Sequence, residues 1–80
     1  MSEDIKVDSL LDCKGQVCPE PIIHANIAIK KINVGEILLM ESTDPGATND
    51  MHSWSKRTGH QILKEESEGQ VLRFYVRRMK

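Results

Sequence analysis

The feature that most constrains the fold is a change of hydrophobic period at Cys18-Pro19-Glu20-Pro21. Before it, Ile5, Val7, Leu11 and Cys13 alternate with polar Lys6, Asp8 and Asp12, with Ser9 as one interruption. Period two of this kind predicts a half-buried strand, which Gly15 ends. After it, Ile22, Ala25, Ile29 and Ile32 recur at helical spacing, with Ile23 and Ile27 beside them. That pattern predicts an amphipathic helix with a broad apolar face. Pro19 and Pro21 then fall in its first turn, where backbone N–H groups have no intrahelical partner and proline forfeits nothing. Cys18 is expected at or next to the N-cap. Lys30 and Lys31 suit the last turn, and Gly35 follows it.

Ile37-Leu38-Leu39-Met40 is an apolar run too short for a helix, so it predicts a buried central strand. Asp44-Pro45-Gly46 is a turn. Ala47, Met51 and Trp54 recur at i, i+4 and i+7, predicting a second helix that stops at Gly59. Residues 61–66 and 70–79 are strand candidates joined at Ser67-Glu68-Gly69, a hairpin signal. The order is β-α-β-α-β-β. A strand, helix and strand in sequence favour a right-handed parallel crossover. The expected fold is therefore α/β (α+β): a two-layer sandwich, two helices on one face of a four-stranded mixed sheet. In the last strand Leu72, Phe74 and Val76 share one face, and Val71, Arg73, Tyr75 and Arg77 the other.

Eighty residues suffice for one core and not for two. The expected organisation is a flexible N-terminus over residues 1–4 and a single domain over 5–80. Leu, Ile, Val and Phe supply 20 of the 80 residues, above the roughly 20% below which disorder is the default. No apolar run reaches the ~18 residues of a membrane span. Met1-Ser2-Glu3-Asp4 lacks the basic-then-apolar pattern of a signal peptide. A cytoplasmic protein with no membrane partner is the expectation. Two cysteines do not make a disulfide framework, so both are read as reduced thiols.

A thiol is a poor nucleophile until it loses its proton. A helix N-terminus offers unpaired N–H groups and roughly half a positive charge, both of which favour thiolate. Lys14 adds a nearby positive charge, whereas Glu20, two residues from Cys18, opposes a second anion. The bland alternative is a small apolar cysteine buried at a strand–helix junction. Two prolines directly after the thiol favour its presentation instead.

Leu11-Asp12-x-x-Gly15-x-x-Cys18-Pro19-x-Pro21 resembles the signature of the TusA/SirA/YedF family of small sulfur-carrier proteins. Asp44-Pro45, Trp54-Ser55-Lys56-Arg57-Thr58-Gly59-His60 and Arg73-Phe74-Tyr75-Val76-Arg77-Arg78 are similar to that family as well. The resemblance runs over about residues 5–79. It implies the same two-layer sandwich and a sulfurtransferase-type carrier. By that resemblance Cys18 takes sulfane sulfur as a persulfide, or carries a thiosulfonate, with Pro19, Glu20, Pro21 and Gly15 as motif support. The implied donor is a cysteine desulfurase or rhodanese-like protein. The implied acceptor protein serves tRNA thiolation, cofactor sulfuration or sulfur oxidation. No cofactor and no metal are implied.

Other residues carry two readings each. Cys13, on the strand face of Leu11, is a small core residue or a resolving cysteine that forms a disulfide with Cys18. His24, His52 and His60 with the cysteines fit no usual zinc spacing. Met51 and Trp54 form a core stripe. Asp44 and Asp50 serve turn and capping chemistry, or give polar contacts beside the Cys18 loop. The net charge is −1, yet residues 71–80 carry +4. Arg73, Tyr75 and Arg77 thus suggest an alternative function, an interaction or RNA-binding face. The competing reading is an edge strand guarded by charge, and direct nucleic-acid binding is not expected.

Overall fold

The computed structural model of the chain describes residues 5–15 and 20–80. The expectation of a flexible 1–4 segment falls outside them. The element order is β1 (Ser9–Cys13), α1 (Glu20–Ile29), β2 (Ile37–Ser42), α2 (Ala47–Thr58), β3 (Gln61–Glu68) and β4 (Val71–Arg77). The sheet order is β1-β2-β4-β3. β1 and β2 are parallel, as the helical crossover between them requires, and the other two pairings are antiparallel. Two helices on a four-stranded mixed sheet is the expected architecture.

The core forms where the helical stripes meet one face of the sheet. Ala25 and Ile29 of α1, and Ala47, Met51 and Trp54 of α2, pack with Cys13, Leu38, Met40, Phe74 and Val76. The buried Trp54 indole N–H donates to the Asn26 side-chain oxygen at 2.6 Å, which joins the two helices. A buried tryptophan needs such a partner, because its N–H would otherwise be desolvated without compensation.

Several boundaries differ from expectation. Ile5 and Val7 precede β1 rather than belonging to it. α1 ends at Ile29, so Lys30 and Lys31 lie past it, in a turn closed by the Lys31 N–H on the Ala28 carbonyl. Ile32 is still buried, which is why the apolar period runs on beyond the helix. Arg78 secures this exit: its guanidinium donates to the carbonyls of Lys30 and Ile32, at 3.3 and 2.5 Å. β3 continues to Glu68, leaving Gly69-Gln70 as a two-residue turn. Gly69 has φ +62 at the first turn position, where a two-residue hairpin favours glycine. The largest difference concerns β4. It is no edge strand but lies between β2 and β3. No helix among the described residues is long and apolar enough to cross a membrane.

Candidate functional site

Cys18 and Pro19 lie outside the described residues. Their flanks are described, and these set the local frame. On one side β1 ends at Cys13, and Lys14 and Gly15 form a turn. On the other, Glu20 and Pro21 are the first two residues of α1. The sequence places Cys18 between those two anchors.

The Gly15 anchor is built from three groups. Gly15 has φ +85, a left-handed conformation that glycine adopts without a Cβ penalty. Its N–H donates to the Thr43 hydroxyl at 2.9 Å, across 28 residues of sequence. The neighbouring Lys14 N–H donates to the Asp12 carboxylate at 3.0 Å. Thr43 also borders a hollow of about 410 Å³ with Pro45, Gly69 and Leu72, at the same end of the sheet. Nothing in the sequence marks Thr43 as part of this site. A threonine between a strand and an Asp-Pro turn carries no signal naming a partner so far away.

Asp44 builds the turn that starts α2. Its side chain accepts from the Gly46 N–H at 3.0 Å, and its carbonyl accepts from the Ala47 N–H at 2.9 Å. This is the local side-chain-to-backbone closure that aspartate supplies in turns. The N-cap of α2 is Gly46, with no side-chain cap, and Asp50 stands in the first turn.

Lys14 does not carry an isolated positive charge. Its ammonium lies 3.5 Å from Glu41 and 4.0 Å from Asp12. Glu41 in turn holds Arg73 at 2.9 Å, and Arg73 reaches Glu68 at 3.0 Å. Tyr75 donates its hydroxyl to Glu66 at 3.0 Å. On the open sheet face Arg73 is therefore held between two carboxylates, Glu41 and Glu68.

Cys13 is fully buried within the core. Burial first, and the nearby Asp12 carboxylate second, push its thiol above the ordinary cysteine range. Both causes disfavour the thiolate form. His60 packs its ring 5.5 Å from that of Trp54, and its Nδ1 accepts from the Met79 N–H at 3.1 Å. His52 is hydrogen-bonded to Glu65 on the far side of the molecule from β1. Among the described residues no three His, Cys, Asp or Glu side chains gather to hold a metal ion.

Residues 9–78 match the family model described as Sulfurtransferase TusA. YrkI of Bacillus subtilis is 40% identical over 74 residues, spanning 92% of this chain and 99% of its own. The sulfur carrier protein TusA of Allochromatium vinosum is 31% identical over 71 residues, 89% of this chain and 93% of its own. Among solved structures, a SirA-like protein from Desulfitobacterium hafniense superposes with a TM-score of 0.76 at 20% identity. That match covers 90% of this chain and 99% of the other, and establishes likeness of fold.

Proposed function

The chain belongs to the TusA sulfurtransferase family, and on that premise we propose that it is a sulfur carrier whose cargo rides on Cys18. The observation that carries this reading is the family match over residues 9–78, with Cys18-Pro19-x-Pro21 inside the matched span. The frame around the motif supports it. α1 begins within the motif, at Glu20, and a helix N-terminus stabilises an anion. Thr43 pins Gly15 on the other side. Cys13, the second thiol, is withdrawn into the core.

The transfer is a pair of sulfur-to-sulfur displacements. The Cys18 thiolate attacks the terminal sulfur of a donor persulfide. A Cys18–sulfur bond forms, the donor's own S–S bond breaks, and the donor leaves as a thiolate. The proton on the terminal sulfur stays with it or passes to water. A thiolate of the acceptor protein then attacks that outer sulfur, and Cys18 leaves as thiolate. Nothing is oxidised or reduced overall, because the same sulfane sulfur moves from one thiol to the next. Glu20 is the first residue of α1, a position where a carboxylate suits the helix dipole. The carrier meets a donor of the desulfurase or rhodanese type and a separate acceptor protein, in the cytoplasm.

Intact mass spectrometry after incubation with a persulfide donor tests this. The wild-type chain gains one sulfur atom and loses it to a reductant. A Cys18→Ser variant that gains sulfur equally well sinks the reading.

A further inference from the structure

The two edges of the sheet are built differently. β3 carries Lys64, Glu65, Glu66 and Glu68 and has a register shift between Ile62 and Lys64. Charge and bulges keep an edge from pairing with another chain. β1, the opposite edge, holds one charged residue, Asp12, and pairs with β2 in unbroken register.

Above β1, α1 leaves Ile23 and Ile27 51% exposed, one turn apart, and Leu10 of the strand is 59% exposed. Between strand and helix runs a groove of about 250 Å³, bordered by Ser9, Leu10, Leu11, His24, Ile27 and Lys31. Its two ionisable side chains, His24 and Lys31, are both of the basic type, in a chain whose net charge is −1. Among the described residues neither forms an ion pair.

The backbone is oriented for pairing. The Asp8 N–H donates to the Ile37 carbonyl of β2 at 2.8 Å. Successive residues of a strand alternate in direction. The N–H groups of Ser9 and Leu11 therefore point away from β2, toward the side where no strand of the described residues pairs.

The geometry points to the β1 edge as the place where a sulfur-transfer partner docks, laying an extended segment beside β1 as a fifth strand. This rests on the carrier reading of Cys18. The segment's backbone pairs with Ser9 and Leu11, as in other strand additions to an exposed edge. Its helix-facing side chains include an apolar residue that covers Ile23 and Ile27. An acidic residue meets Lys31, the charge the groove lacks. Cys18 follows the end of β1 by five residues, so a segment held on this strand brings its protein to the cargo. Donor and acceptor have to reach the same sulfur, and one edge serves them in turn.

Two variants of the full chain test this. Ser9→Pro removes one outward N–H and no ladder bond, at a strand start where proline is tolerated. Ile27→Lys changes an exposed side chain of the groove. Thermal unfolding verifies the fold of each. Every protein is loaded with inorganic polysulfide, which needs no docking, and with a persulfide-charged cysteine desulfurase that loads the wild-type chain. The expected result is wild-type loading from polysulfide and at least a tenfold fall in kcat/KM from the desulfurase, carried by KM. Unchanged desulfurase rates in both variants overturn the docking edge and leave the carrier reading standing. Failure of polysulfide to load wild-type Cys18 overturns the carrier reading, and this proposal with it. A wild-type dimer in sedimentation that Ser9→Pro converts to monomer assigns the edge to a second copy and also overturns the proposal.

Discussion

Gly15 and Thr43 are joined by a single hydrogen bond, amide to hydroxyl at 2.9 Å, that ties the turn after β1 to the loop after β2. Replacing Thr43 by Val removes the hydroxyl and keeps the shape. The expected cost in stability is about 0.5–1.5 kcal/mol. Loading of Cys18 from a persulfide donor is expected to slow by up to about tenfold, because misplacing a reacting group lowers rate. Thr43→Ser, which keeps the donor's partner, restores loading. Urea titration and a loading time course measure the two effects separately.

Asn26 makes a second bond that is hard to replace. Its side-chain oxygen is the partner of the fully buried Trp54 indole N–H. Asn26→Ala leaves that donor desolvated and unpaired, at a cost of about 1–3 kcal/mol. Asn26→Asp keeps an acceptor and is expected to cost less. Chemical denaturation followed by tryptophan fluorescence reads both.

Gly59 closes α2 in the left-handed conformation, with φ +84 and its N–H on the Ser55 carbonyl at 2.8 Å. A side chain there carries the left-handed penalty of about 1–2 kcal/mol. A Cβ would also approach the Lys80 side chain at 2.8 Å. Gly59→Ala therefore lowers the unfolding midpoint. Adding Lys80→Ala is expected to recover little of the loss, since a lysine tip moves aside readily and the backbone strain remains.

His60 makes stability depend on pH. Burial first, then Arg78, then Lys80, hold its pKa below the ordinary value. Its Nδ1 accepts the Met79 N–H, which requires that nitrogen to be unprotonated. The folded state therefore binds fewer protons than the unfolded chain, whose histidine titrates near ~6.5. Stability rises with pH wherever the unfolded state binds more protons. The contribution is complete above the unfolded pKa and is lost as pH falls from there toward the lower folded value. Denaturant midpoints at pH 7.5 and at about 5.5 are expected to differ, the acid one being lower. In His60→Asn, which has no titrating ring, the difference shrinks. Glu66, whose pKa is lowered by hydrogen bonds from Lys64 and Tyr75, acts in a more acidic window and does not mimic it.

The apolar periods made the fold legible. Ala25 and Ile29, and Met51 and Trp54, do face the core as their spacing requires. Period does not mark where a helix stops, however. Ile32 is buried from a turn rather than from α1, and Arg78, 46 residues away, satisfies its carbonyl. Alternation likewise told which face Phe74 and Val76 occupy, but not which strands flank β4. Strand order is set by long-range pairing, so the guarded-edge reading of Arg73 fell to β4's interior position. Ile23 and Ile27 belong to the helical pattern and yet meet solvent. At the candidate site Cys18 rests on its motif alone, since it lies outside the described residues. The Thr43 tether was not legible, because hydrogen bonds across 28 residues leave no periodic trace.

Cys13 gives this molecule an internal reporter. Its thiol is enclosed by the core and belongs to the edge strand that precedes Cys18 in the chain. A thiol reagent reaches it only when β1 lifts from the sheet or the chain unfolds. In a Cys18→Ser background, the labelling rate of Cys13 is therefore a clock for the opening of β1. In the wild type, attachment of the same thiol reagent to Cys13 marks a molecule that has opened at β1 or come apart.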